Sequence, residues 1–346
     1  MTRILLHAAE PSGDAIGALV AAELRRRLPD AVIRGLAGPA MIAAGVAPLA
    51  PVENLGVLGI VEALGHVGAA WRAREAARRA LPGADLVVTV DAPDLMLCVA
   101  ADARSKGTPT VHIVAPQVWA WRPGRVRRVA RAVDTLVAFF PWEAQWFAST
   151  SLHVATVGHP LAAVGTHAAE ASTYALMPGS RASEHRRYGP VLCAVAAAIR
   201  AREPMATFLV PAPSGTLGDL DATYVPTVRE AARRSRSVAV ASGTATLEVA
   251  AVGAPMAILG LLHPVTTWLA RRWLTVKHVG LPNLIVDRRA VPEFLAPIDP
   301  GAVADVMLAA EPLPSDVGSA IVALGAEGAV HRIGAVLLER LSTGPR

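Results

Sequence analysis

The sequence has only two cysteines, Cys98 and Cys193, far apart and each inside an apolar stretch. That excludes a disulfide framework and a zinc site, and leaves both thiols as small core residues. Charge is scarce too: 18% of residues are charged against 53% hydrophobic, with a mean hydropathy of +0.41. No apolar run reaches the roughly 20 residues that a membrane span requires. Asp85, Asp91 and Asp94 interrupt one oily stretch, and Glu248 and Pro255 the other. The opening residues Met1 to Glu10 run straight into a glycine-containing turn, too short an apolar segment for a signal sequence, so a soluble, unexported chain is expected. No repeat of solenoid period occurs, and the ten histidines show no metal spacing. An acidic excess is also missing. The 33 basic groups, nearly all arginine, outnumber 28 acidic ones for a net charge of +5. Such a balance suits an anionic partner: a phosphorylated substrate, an acidic lipid surface or nucleic acid.

What is present is regular. The length of 346 residues suggests two domains. Short β-type runs alternate with longer helical patterns throughout, the signature of parallel α/β layers. Strands are expected at Ile4–His7, Val32–Leu36, Leu86–Val90, Thr110–Val114 and Thr135–Phe139, then at Tyr174–Met177, Thr207–Val210, Val238–Ala241 and Met256–Leu259. Ile16, Leu19, Val20, Leu24 and Leu28 fall on one helical face, and Ser183–Arg200 and Ala245–Ala251 also read as helices. Periodicity lapses after Gly158–His159–Pro160. The expected organisation is therefore α/β, with two Rossmann-like domains, 1–160 and 161–315, facing each other across a cleft, and a helical tail over 316–346.

Ligands bind such sheets at the carboxyl ends of the strands, so the residues just after each strand are the informative ones. After the first comes Ala9–Glu10–Pro11–Ser12–Gly13–Asp14, which brings a carboxylate and a helix N-terminus to that edge, unless Ser12 merely caps the helix. Gly35–Leu36–Ala37–Gly38–Pro39 lacks the spacing of a dinucleotide fingerprint. After Leu86–Val90 stand Asp91 and Asp94. Asp91 reads as a general base and Asp94 as a helix cap, because no further carboxylates complete a metal site. The segment Val118–Trp119–Ala120–Trp121–Arg122, followed by Arg125, Arg127, Arg128 and Arg131, mixes indoles with arginines, as a lipid-headgroup surface or a single-stranded nucleic-acid binder does.

In the second half, Pro178–Gly179–Ser180–Arg181 leads from a strand into a helix. Free backbone N–H groups, the positive helix end and an arginine make a phosphate site there. Ser242–Gly243–Thr244 also joins a strand to a helix: its glycine lets backbone approach a ligand, its hydroxyls suit phosphate oxygens, and Glu248 lies one turn deeper where it can accept from ribose hydroxyls, unless each turn merely caps its helix. Two such turns in one domain favour a nucleoside diphosphate. Leu262–Leu274 combines tryptophans with arginines as an interfacial anchor would.

Taken in order, these segments, together with Gly38–Pro39–Ala40–Met41, Gly56–Glu62 and Leu281–Pro282–Asn283–Leu284, resemble the lipid-A-disaccharide synthase family of GT-B glycosyltransferases. The resemblance implies transfer of a 2,3-diacylglucosamine unit from its UDP derivative to 2,3-diacylglucosamine 1-phosphate, with inversion, giving a β-1,6-linked disaccharide and UDP. Asp91 would be the base, Glu10 would organise the acceptor or sugar pocket, and Asn283 would matter for activity. The first domain would bind the acceptor and the second the UDP-sugar. Substrate contacts would come from Ser12, Gly13, Asp94, Trp119 and Arg122 in the first half. In the second they would come from Gly179, Ser180, Arg181, Ser242, Gly243, Thr244 and Glu248. No cofactor, metal or nucleic acid is implied. Peripheral association with the cytoplasmic face of an anionic inner membrane is expected, and segment swapping within the family leaves a homodimer open.

The chain departs from the family pattern at three places. Ala115 and Gln117 stand where serines are usual, Leu95–Met96 replaces an aromatic–asparagine pair, and the stretch between Pro211 and Val238 is short. Two other readings remain at this stage: another nucleotide-sugar enzyme, either an epimerase or a transferase with a different acceptor, and a non-catalytic nucleic-acid-binding protein using the Arg125–Arg131 helix.

Overall fold

The computed structural model describes residues 1–51, 63–118, 124–211, 217–261, 278–325 and 327–344. The chain divides into two compact units, one formed by Met1–Pro160 with Glu327–Arg346, the other by Leu161–Ala326.

The first unit runs β1 (Arg3–Ala8), α1 (Pro11–Arg27), β2 (Val32–Ala37), α2 (Pro39–Ala43), β3 (Ala47–Pro51), α3 (Ala63–Ala80), β4 (Leu86–Val90), α4 (Pro93–Arg104), β5 (Thr110–Ile113), α5 (Arg125–Ala132), β6 (Thr135–Ala138), α6 (Pro141–Gln145) and β7 (His153–Thr156). Its sheet has the order β3-β2-β1-β4-β5-β6-β7 and is parallel throughout. The second unit runs β8 (Thr173–Met177), α7 (Ala182–Arg200), β9 (Thr207–Pro211), β10 (Thr223–Val225), α8 (Val228–Arg234), β11 (Ser237–Ala241), α9 (Thr244–Val252), β12 (Met256–Gly260), α10 (Leu281–Val286), β13 (Glu293–Leu295), α11 (Pro300–Ala309) and α12 (Ser315–Ala323). Its sheet, also parallel, has the order β10-β9-β8-β11-β12-β13. Both are doubly wound Rossmann-like sheets.

The central strands are sheathed on both faces, which is why they read as near-continuous apolar runs: every residue of β4, β8, β11 and β12 is buried. All nine expected strands are present, to within a residue at each end. The strands not foreseen are β3, β7, β10 and β13, the outermost of each sheet. Leu95 and Met96 lie in an apolar cluster with Ala73, Ala77 and Val99, so this departure from the family pattern fills the core between α3 and α4.

The tail expected over 316–346 is divided between the units. Helix α12 falls in the second. The last helix, α13 (Ala329–Thr343), returns to the first and packs on α1. Arg27 Nη2 donates to the His331 carbonyl at 2.8 Å while its Nε bonds the Glu23 carboxylate, and Arg332 Nε donates to the Val157 carbonyl at 2.9 Å. Gly334 permits this approach, since a Cβ there would stand 2.8 Å from both Arg27 Nε and Glu23 Cγ. Among the described residues no helix is long and apolar enough to cross a membrane.

Candidate functional site

Strand order reverses in the first sheet between β1 and β4 and in the second between β8 and β11. A crevice opens at such a reversal, because the helices that follow the two strands lie on opposite faces. The strand-end residues singled out from the sequence stand at these two places.

In the first unit α1 begins at Pro11, with Glu10 at the N-cap position and no side-chain cap. Ser12 is thus not the cap that one reading assigned it. Its hydroxyl instead donates to Asp91 Oδ2 at 2.7 Å, tying the end of β4 to the first turn of α1. Gly13 allows the contact: a Cβ there would lie 3.1 Å from the Val90 carbonyl oxygen and 3.3 Å from Asp91 Cβ. Asp91 and Ala92 have φ of 54° and 43°, two consecutive non-glycine residues in the left-handed region. Such backbone costs about 1–2 kcal/mol per residue and persists where surrounding contacts impose it, often at functional turns. Asp14 is buried and accepts from the Gly38, Ala40 and Met41 N–H groups at 2.9–3.1 Å, capping α2.

The cap expected of Asp94 is also revised. The N-cap of α4 is Ala92, and Asp94, exposed in the first turn, pairs with Arg125 at the start of α5. Trp119 and Arg122, the Gly56–Glu62 block and the Leu262–Leu274 segment lie outside the described residues.

In the second unit Met177 pairs with Val240, so the turns after β8 and β11 lie side by side. Gly179 has φ of 102°, and a Cβ there would stand 2.3 Å from Glu184 Oε2. The Glu184 carboxylate accepts from the Arg181 N–H at 2.9 Å and lies 3.6 Å from its guanidinium, while His185 Nε2 meets the Gly179 carbonyl at 3.1 Å. A glutamate three residues into a helix bonding the N-cap amide is a recognisable sequence spacing, and Glu184 was nonetheless missed. Ser180 is exposed at the tip of the turn.

After β11, Gly243 is exposed with φ of 155° at the N-cap of α9, and the Thr246 hydroxyl donates back to its carbonyl at 2.7 Å. Ser242 donates its hydroxyl to the Val279 carbonyl at 2.6 Å, so that hydrogen is spent inside the protein. The first turn of α9 offers a ligand its backbone N–H groups and the half-buried Thr244. One turn deeper, burial raises the Glu248 carboxyl from its ordinary value to about 7, with Arg229 opposing the rise.

Asn283, expected to be catalytic, is fully buried and both ends of its amide are committed. Nδ2 donates to the Val291 carbonyl and to Glu293 Oε1, each at 2.8 Å, and Oδ1 accepts from the Ala290 and Val291 N–H groups at 2.9 and 2.8 Å. It braces α10 against the lead-in to β13. Among the described residues no group of three or more His, Cys, Asp or Glu side chains is placed to hold a metal ion.

Residues 4–299 match the family described as lipid-A-disaccharide synthetase. The lipid-A-disaccharide synthase of Chromohalobacter salexigens is 39% identical over 321 residues, covering 85% of this chain and 83% of that protein. The enzyme of the same name from Geobacter sulfurreducens is 34% identical over an alignment of 376 residues, covering 98% of this chain and 97% of that one. That alignment exceeds the 346 residues present, so the Geobacter protein carries stretches this chain lacks. The solved structure of CalG4, the calicheamicin glycosyltransferase, superposes with a TM-score of 0.63 over 99% of this chain and 98% of that one. At 14% identity that likeness concerns the fold alone.

Proposed function

The chain belongs to the lipid-A-disaccharide synthase family and is a glycosyltransferase of the GT-B fold, and from that premise we propose that it joins UDP-2,3-diacylglucosamine to 2,3-diacylglucosamine 1-phosphate. The products are the β-1,6-linked disaccharide 1-phosphate and UDP.

The observation that carries the mechanism is the Ser12–Asp91 hydrogen bond at the reversal point of the first sheet. Ser12 holds Oδ2, and Oδ1 has no hydrogen-bond partner among the described residues. Asp91 therefore presents a fixed, basic oxygen to an incoming hydroxyl. It removes the proton of the acceptor 6-hydroxyl as that oxygen attacks the anomeric carbon from the face opposite UDP, and the configuration inverts. Glu10, at the start of α1, helps to seat the sugar. Leaving UDP gains negative charge on its β-phosphate. The Arg181 guanidinium and the N-terminal N–H groups of α7 and α9 meet that charge already oriented, so little reorganisation accompanies departure. Glu248 receives the ribose hydroxyls.

Both substrates carry acyl chains, and α3 and α5 present exposed Trp71, Arg72, Arg127 and Arg131. An indole among arginines suits an anionic bilayer surface, which supports peripheral association at the cytoplasmic face of the inner membrane. Cosedimentation with anionic vesicles that fails with neutral ones tests this part.

The reaction itself is tested by incubating the purified protein with both acylated sugars, with and without detergent, and following UDP release. Absence of UDP in both conditions overturns the assignment.

A further inference from the structure

Glu293 has no place in the chemistry above, yet its buried carboxylate gathers three hydrogen-bond donors near the turn after β11. Oε1 accepts from the Gly280 N–H at 2.8 Å, from Asn283 Nδ2 at 2.8 Å and from the Val279 N–H at 3.2 Å. Oε2 accepts from the Val279 N–H at 3.3 Å and faces His278 Nδ1 at 3.9 Å, and the side chain is 8% exposed. Gly280 is pressed onto β12, since a Cβ there would stand 2.3 Å from Ile258 Cδ1 and 3.1 Å from Glu293 Oε1. The segment 278–283 is thus pinned between a strand and a carboxylate.

The far side of the same peptide unit carries the consequence. The Gly280 N–H is given to Glu293, and the carbonyl of that same peptide unit, on Val279, receives the Ser242 hydroxyl at 2.6 Å. Carboxylate, amide and hydroxyl form one chain in which each bond polarises the next. Ser242 opens the turn whose following N–H groups form the start of α9. With its hydroxyl hydrogen tied to Val279, Ser242 contributes to that turn by holding its shape.

We infer that Glu293 is a positioning residue for the nucleotide, fixing through Val279 and Ser242 the backbone N–H groups at the start of α9 that meet the diphosphate. This rests on the reading of Ser242–Gly243–Thr244 as the diphosphate turn. It also gives buried Asn283 a task, since its amide shares Oε1 and orients the carboxylate.

The test uses the full chain, with UDP as the probe in calorimetry and donor and acceptor KM measured separately. Glu293→Ala and Ser242→Ala should each weaken UDP binding about tenfold and raise donor KM similarly, with acceptor KM within about twofold. The double variant should lose little more than either single one, because both cut the same chain. Glu293→Gln, which keeps one accepting oxygen, should recover most of the affinity. Wild-type UDP affinity in either alanine variant, equal losses on both substrates, or additive losses in the double variant would overturn the inference. Should Glu293→Ala fail to fold, Ser242→Ala decides alone, wild-type affinity again being the negative result. Gly243→Ala tests the underlying reading separately. If it leaves UDP affinity intact, the turn is not the diphosphate site. If it weakens UDP while the other variants do not, only the role of Glu293 falls.

Discussion

The Ser12 hydroxyl donates to Asp91 Oδ2 at 2.7 Å, joining the first turn of α1 to the end of β4. One carboxylate oxygen is fixed in this way, which holds the aspartate in a single orientation. Ser12→Ala should therefore lower kcat about tenfold, an order set by the loss of one hydrogen bond to a charged group. Asp91→Ala should abolish turnover while UDP affinity stays within about twofold, because the proposed base and the proposed diphosphate turns belong to different units. Steady-state rates and calorimetry on the same preparations check both outcomes.

The proposed ribose contact of Glu248 would link nucleotide binding to pH. Burial raises its carboxyl to about 7 from an ordinary 4.5. Between those values the folded chain keeps a proton that the unfolded chain releases, so this group's contribution to stability declines as pH rises from about 4.5 to about 7. Glu248→Gln should match the wild type in stability near pH 4 and exceed it by about 2 kcal/mol near pH 8, after allowance for partial exposure. Ribose hydroxyls favour the ionised form, so wild-type UDP affinity should climb between about pH 6 and pH 8 and that of the variant should stay flat and weaker. Melting curves and UDP titrations across this range decide it.

Gly179 answers to two constraints at once, a φ of 102° and the Glu184 carboxylate 2.3 Å from where a Cβ would sit. Glu184 must move if Gly179→Ala is made, releasing the Arg181 N–H. A loss of about 1–3 kcal/mol in stability and a several-fold rise in donor KM are expected. Chemical denaturation together with donor titration would show whether both move.

Asn283→Ala removes a buried amide and leaves the Ala290 and Val291 N–H groups without acceptors. Unsatisfied buried donors of this kind cost about 1–3 kcal/mol each, so a loss of about 3 kcal/mol is expected. Asn283→Asp keeps the acceptors but sets a second carboxylate against Glu293, and should be at least as harmful. Urea midpoints measured beside activity will show stability falling with kcat, whereas a substrate-contacting asparagine would lose kcat alone.

The inner strands could be read directly because parallel strands sheathed on both faces are predominantly apolar and β-branched. The outermost β10 and β13 are three residues long and partly exposed, which leaves no pattern to detect. The site divides in the same way. Gly13, Gly179 and Gly243 sit where the chain must turn sharply or pack closely, so the local alphabet of turns reveals them. Ser242 was read as a hydroxyl facing phosphate, whereas it faces Val279, a residue 37 positions away in sequence. Glu293 is one glutamate on a short outer strand, and nothing near it in sequence announces three converging donors. Such assignments depend on contacts between distant segments, which residue spacing does not encode.

The return of α13 to the first unit also sets an order of events during synthesis. Helix α1 leaves the ribosome early, but the surface around Glu23 and Arg27 stays uncovered until the whole second unit has been translated. At about 5–20 residues per second that interval is about 15–60 s. Nascent chains thus spend a defined period with the strands of the first unit made and its covering helix still unmade, the window in which a chaperone or a second nascent chain would find that surface open.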